Sequence, residues 1–344
     1  MTVLAPAESA PQISQAAPGI WGMRLPLPFQ LNHINVWLLA DRMPDGRPAW
    51  TLIDTGVASN LTRGLWESVA AEFLADAPIR RVIVTHFHPD HIGLADWLCR
   101  RFDAPLHMTR TEWLLARMLC LDASDGIADA GRRFYGAMGL DAPALAALAT
   151  RGNAYSRGVP VVPAIFERMT DGDMLRIGDR DWRIITSGGH SPEHACFYSA
   201  DGGNVLIAGD MVLPRISPNV SVWPAEPFAD PLAEFLNGLA RLRELPADTT
   251  VLPSHGPVFH DLRGRIDELL HHHAERLDEA EADCADGGCT VAEITRSMFK
   301  RPLDTHQLTF AAGEALAHLN HLVATGRLVR RHRPEDGAWL FTKP

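Results

Sequence analysis

The 344-residue sequence predicts an α/β fold, and three observations lead there. Short β-branched apolar runs alternate with stretches of 3.6-residue apolar spacing, the signatures of buried strands and amphipathic helices. Several of the runs end in a polar residue beside glycine, where the backbone can approach a ligand closely. After residue 260 the pattern changes to charged helical segments, which marks a second, smaller unit. A chain of this length favours two domains, and 46% hydrophobic residues are ample for a buried core.

Residues 1–18, rich in Ala, Pro, Ser and Gln with neither an apolar nor a basic region, predict a disordered leader and no export signal. Residues 50–53 are an apolar run closing on Asp54-Thr55-Gly56. Residues 79–85 predict a buried strand and 92–102 a helix, and the loop between them reads His86-Phe87-His88-Pro89-Asp90-His91. Packed in a core, three imidazoles and a carboxylate would each need a buried hydrogen-bond partner; a metal ion supplies one to all four. His86 and His88, two apart in extended backbone, project to the same side. Pro89 then turns the chain, so Asp90 and His91 face a second point, a geometry that suits two adjacent metals better than one.

Residues 107–166 exceed a simple strand-to-strand connection and predict three helices, over 111–120, 128–138 and 142–150. Placed beside a metal site, this insert would wall an apolar substrate pocket with Trp113, Met118, Phe134, Tyr135 and Met138. Three further strand-like runs follow. One precedes Gly189-His190-Ser191-Pro192-Glu193-His194, one ends at Gly209-Asp210, and one enters Ser254-His255-Gly256. Alone, each polar residue would be an ordinary turn residue after a strand.

Taken in order and at these separations, Asp54-Thr-Gly, His86-x-His88-x-Asp90-His91, Gly189-His190, Gly209-Asp210 and Ser254-His255-Gly256 resemble the five motifs of the metallo-β-lactamase fold superfamily, over about residues 20–260. The resemblance implies a four-layer αββα sandwich, residues 19–260, with its metals where strand-end loops converge. It implies that His86, His88 and His190 hold one metal, that Asp90, His91 and His255 hold the other, and that Asp210 bridges them. Asp54 would orient a ligand, and His194 would support the site without ligating. Position 88 is His where the oxygen-reducing diiron branch has Glu, so a hydrolytic centre is expected. The full ligand set is similar to that of glyoxalase II, lactonases, nucleases and phosphodiesterases.

The chemistry expected of two such cations, zinc first, with manganese or iron as alternatives, is a shared hydroxide acting as nucleophile. Asp90 would orient it and carry a proton toward the leaving group. A net charge of −10 and a pI near 5.9 disfavour a nucleic-acid partner, which requires Lys and Arg in excess. An activated acyl compound (thioester, lactone or ester) is therefore the expected substrate, with a phosphodiester as the alternative.

Beyond residue 260, helical spacing over 263–282, a Thr290/Glu293 capping box, a helix over 310–325 and a hairpin across 334–337 resemble the winged-helix domain attached to the lactamase-like-2 branch. Residues 262–344 hold 11 Lys or Arg against 13 Asp or Glu, so a structural role is expected of residues 261–344 ahead of DNA binding. His271-His272-His273 is expected to be a solvated helix face. Five cysteines without a paired framework fit reduced thiols and a cytoplasmic enzyme. No run reaches membrane-spanning length. A homodimer is left open.

Overall fold

The computed structural model describes residues 12–28, 31–122, 124–150, 152–285 and 287–344. Strands β1 (Gln12–Ala17), β2 (Ile20–Pro26), β3 (His33–Arg42), β4 (Pro48–Ile53), β5 (Ile79–Ile83), β6 (Leu106–Thr109) and β7 (Glu167–Met169) form one sheet in sequence order. Pairing is antiparallel from β1 to β4 and parallel from β4 to β7. A second sheet holds β8 (Met174–Ile177), β9 (Arg180–Ser187), β10 (His194–Ser199), β11 (Val205–Gly209) and β12 (Thr250–Pro253), antiparallel except for the β11–β12 pair.

The helices are α1 (Asn60–Glu72), α2 (Pro89–Ile92), α3 (Ala95–Phe102), α4 (Arg110–Leu121), α5 (Asp125–Ala137), α6 (Ala142–Ala149), α7 (Ala154–Gly158), α8 (Pro231–Arg243), α9 (Leu262–Asp283), α10 (Val291–Met298) and α11 (Thr305–Ala324). The chain closes with the hairpin β13 (Val329–His332) and β14 (Trp339–Thr342).

Strand alternation builds the four layers. In β3, Trp37 and Leu39 face the second sheet, where they meet Trp182, Ile184, Phe197 and Ile207, while Ile34, Val36 and Leu38 face Trp66 and Val69 of α1 and Leu98 of α3. In β11, Val205 and Ile207 point to the inner core, and Leu206 and Ala208 point to Phe235 and Leu239 of α8 and to the C-terminal helices. The αββα sandwich implied by the motif resemblance is thus the observed architecture. Because β4 and β5 run parallel, and β9 runs with β11 and β12, the loops after all five strands emerge at one edge. Ala195 N donates to Thr85 O at 3.0 Å and Asn35 N to Ser254 O at 2.7 Å, joining the two sheets at that edge.

Four expectations are corrected here. The first eleven residues of the expected leader lie outside the described residues, but Gln12–Ala17 pairs with β2 as an edge strand. The insert carries a fourth helix, α7. The last long helix begins at Thr305, earlier than the apolar pattern suggested, because Asp304 and Gln307 form a second capping box. The three consecutive histidines are split by the 100° helical step: His271 is exposed, His272 half-buried, and His273 fully buried against Phe235 and His318.

The cysteines also depart from expectation, since Cys284 and Cys289 form a disulfide with Cα atoms 4.8 Å apart. Gly287 and Gly288, with φ of 85° and 89°, supply the left-handed turn that brings them together. Cys289 then exchanges two backbone hydrogen bonds with Phe341, so the bridge ties the end of α9 to the hairpin. Cys99, Cys120 and Cys196 are free.

Candidate metal centre

The shared edge gathers all seven predicted ligands into three overlapping groups: His86, His88 and His190; His86, His91 and Asp210; and Asp90, His91 and His255. Within each group, the ligand atoms lie within 4.8 Å of one another. His86 Nε2 is 2.8 Å from His88 Nδ1 and 3.2 Å from His190 Nε2. On the other side, His255 Nε2 lies 3.4 Å from Asp90 Oδ2, and His91 Nε2 lies 3.7 Å from the same oxygen. Asp210 stands between: its Oδ2 is 3.4 Å from His190 Nε2 and its Oδ1 is 3.4 Å from His255 Nε2.

The ring nitrogens pointing away from the centre are held by the protein. His91 Nδ1 is 2.8 Å from Asp54 Oδ2, His190 Nδ1 is 2.8 Å from the Asn219 carbonyl, and His255 Nδ1 is 2.8 Å from the His33 carbonyl. Each acceptor places the proton on Nδ1 and leaves a lone pair on Nε2 facing inward. Asp54 has a left-handed backbone, φ 64°, at the end of β4, and also accepts hydrogen bonds from Thr85 N and Oγ. Strain of this kind persists where surrounding bonds over-determine it. His194 Nε2 accepts the Asp210 N–H at 3.1 Å, so it orients the central carboxylate's backbone.

These residues fit divalent cations. His91 Nε2 and Asp210 Oδ1 are buried with no hydrogen-bond partner, an arrangement too costly to leave uncompensated. Burial drives the His86 and His88 imidazoles well below their ordinary range, and neighbouring imidazoles add to the effect, which keeps them neutral and able to donate a lone pair. Burial also opposes charge on His91, but Asp54, Asp90 and Asp210 outweigh it and draw positive charge there. Mixed imidazole and carboxylate donors suit zinc, manganese or iron. Asp54→Ala is expected to weaken metal binding by about 10–100-fold, measured by competition with a chelator.

The insert residues are placed differently from expectation. Phe134, Tyr135 and Met138 are buried in the core that joins α5 to the C-terminal module, where Phe134 meets Trp339 and Met138 O accepts Ala292 N–H. In this structure these three side chains pack against the C-terminal module. Trp113 stacks on Phe166 at 4.5 Å and donates to Pro163 O, while Met118 is 48% exposed.

Thr85, Asn219 and the His33 carbonyl support the centre without any sequence signal. Asn219 is in turn held by the C-terminal module: its Nδ2 donates to Glu314 of α11 at 3.1 Å, and Val222 N donates to Gly313 O.

The metallo-beta-lactamase superfamily model matches residues 31–255, and the model of the metallo-beta-lactamase-like C-terminal domain matches residues 277–344. The chain belongs to the metallo-beta-lactamase superfamily. A crystal structure of a beta-lactamase domain protein from Burkholderia ambifaria is 44% identical, with a TM-score of 0.90 covering 100% of this chain and 97% of that one. The probable metallo-hydrolase YqjP of Bacillus subtilis is 23% identical over 313 residues, 88% of this chain and 91% of YqjP. A hydroxyacylglutathione hydrolase of Chromohalobacter salexigens is 25% identical over 240 residues, 70% of this chain and 68% of that protein. This superfamily member is accordingly a metallo-hydrolase with a candidate His/Asp metal site. No helix among its described residues is long and apolar enough to cross a membrane.

Proposed function

We propose that this metallo-beta-lactamase superfamily member is a dinuclear hydrolase of activated acyl substrates: thioesters, lactones or esters. The observation that carries the reading is Asp210, whose carboxylate faces both histidine groups: its Oδ2 lies 3.4 Å from His190 and 3.6 Å from His91, and its Oδ1 lies 3.4 Å from His255. One carboxylate facing two clusters suits a shared ligand between two cations. His86, His88 and His190 would hold one ion, and Asp90, His91 and His255 the other. When bound, such ions lower the pKa of water toward neutrality and polarise a carbonyl oxygen.

The remaining work falls to side chains. Asp54, Asn219 O and His33 O fix the tautomers of the three histidines they touch. Asp90, with its side chain 19% exposed, is the acid beside the cluster that can still reach a substrate, so it orients the attacking water and moves a proton toward the leaving group. Trp113 and Met118 are the insert residues left as contacts for an acyl chain.

Similarity to a hydroxyacylglutathione hydrolase supports the acyl class over a phosphodiester. Charge supports it too. The basic cluster of the C-terminal module, which we read as a winged helix, is largely spent within the fold: Arg327 pairs with Asp278 and Glu281, Arg333 pairs with Asp336, and Arg330 lies over the Phe228 and Trp339 rings. Phosphate binding needs such groups free. Elemental analysis of the pure protein is expected to give about two divalent ions per chain. A screen of thioesters, lactones, β-lactams and phosphodiesters with that metal supplied is expected to favour the first two. Turnover that survives chelation, or a preference for phosphodiesters, would refute the proposal.

A further inference from the structure

We propose that Glu112 is a positioning residue for the His86/His88/His190 cluster, gripping the backbone on both sides of it. The proposal rests on the metal-centre reading above.

Glu112 lies in the first turn of α4, outside all five motif loops, and its side chain is fully buried. Its Oε2 accepts the Phe87 N–H at 2.9 Å, and Phe87 is the residue between His86 and His88. Its Oε1 accepts the Ser191 hydroxyl at 2.7 Å and the Glu193 N–H at 2.6 Å, one and three residues after His190. A single carboxylate therefore spans two loops that are more than a hundred residues apart in the chain and carry all three ligands of one cluster. Burial pushes the Glu112 carboxyl up to about 7, and the Glu193 N–H, the Ser191 hydroxyl and the Phe87 N–H oppose that shift by bonding to its charged form.

Neighbouring bonds extend the same clamp. Tyr155 of α7 donates its hydroxyl to Phe87 O at 2.7 Å, so the peptide groups on both sides of Phe87 are held from the insert. At the start of α4, Thr111 N donates to Glu193 Oε2 at 2.7 Å and Thr109 Oγ to Glu193 O at 2.8 Å. The insert thus serves the metal site through its first helix. Glu112 touches no ligand atom, and its effect is on where His86, His88 and His190 stand.

Glu112→Gln is the decisive variant. It preserves size, but its amide NH2 must face at least one of three donors, so one loop is released. Metal affinity measured by chelator competition on the full-length protein is expected to fall about 10–100-fold for one of two ions and little for the other. With cobalt(II) bound, the visible absorption of that one site is expected to shift. Ser191→Ala, which removes one donor and leaves the carboxylate, should weaken the same site less and serves if the Gln variant does not fold.

Unchanged affinity and an unchanged cobalt spectrum in both variants would overturn the role of Glu112 while leaving the metal reading intact. An equal loss at both sites, tracking a lower unfolding temperature of the metal-free protein, would overturn it as a mere fold effect. Wild-type protein that binds no divalent ion would overturn both.

Discussion

Asp210→Asn is expected to lower hydrolysis by roughly a thousandfold or more and to leave about one divalent ion per chain. The amide keeps the size of the side chain and cannot alter the backbone hydrogen bond from Asp210 N to His194. What changes is charge and donor chemistry at the one carboxylate that faces both clusters. Burial favours a neutral group at this position, yet His255 and His91 hold the Asp210 carboxyl well below the usual range, so the anion is what the site is built around. An amide offers one oxygen, and its nitrogen would oppose either the His190 or the His255 side. Elemental analysis beside steady-state kinetics separates the outcomes. Two ions retained with native turnover would remove Asp210 from the centre.

Gly189→Ala is expected to destabilise the fold by about 3–5 kcal/mol and to weaken metal binding with it. Gly189 has φ 103°, a region closed to side-chain-bearing residues. An added Cβ would stand 2.6 Å from Pro231 O, 2.7 Å from Phe235 Cα and against Phe235 Cβ. Most of these neighbours are α8 backbone. That backbone cannot withdraw readily, because Asp230 caps α8 and is itself held by His321 of α11 at 3.0 Å. The strain would pass to the next residue, His190. Urea unfolding of the metal-free protein reads the first effect and chelator competition the second; a variant with native stability would show that the loop has room to move.

Most of the metal centre is legible in the sequence because its ligands follow a local rule. Each sits at the end of an apolar strand, often beside glycine, and His86 through His91 fall in one turn. The family resemblance implies partners across the chain, and the structure brings the same seven side chains together in three overlapping groups. Glu112 shows where such reading stops. It is one acid on a helix, with bonding partners 25, 79 and 81 residues away, and nothing near it in sequence distinguishes it from a solvated glutamate. Asn219 is equally plain until its carbonyl is seen against His190. The insert aromatics were legible only as an apolar face: helical spacing does not tell whether such a face meets a substrate or a neighbouring helix, and here Phe134 and Tyr135 meet the C-terminal module while Trp113 stacks on Phe166.

The order of ligand types, the interleaving of strands with helices and the acidic surface are properties of neighbouring residues, and they can be read along the chain. The burial of His273 against Phe235 and His318 and the grip of Glu112 on two ligand loops arise from contacts between segments whose approach depends on how layers stack. Sequence periodicity sets which side of an element is apolar; packing alone sets what that side touches, because burial energy is non-directional and hydrogen-bond partners are chosen only once the layers are in place.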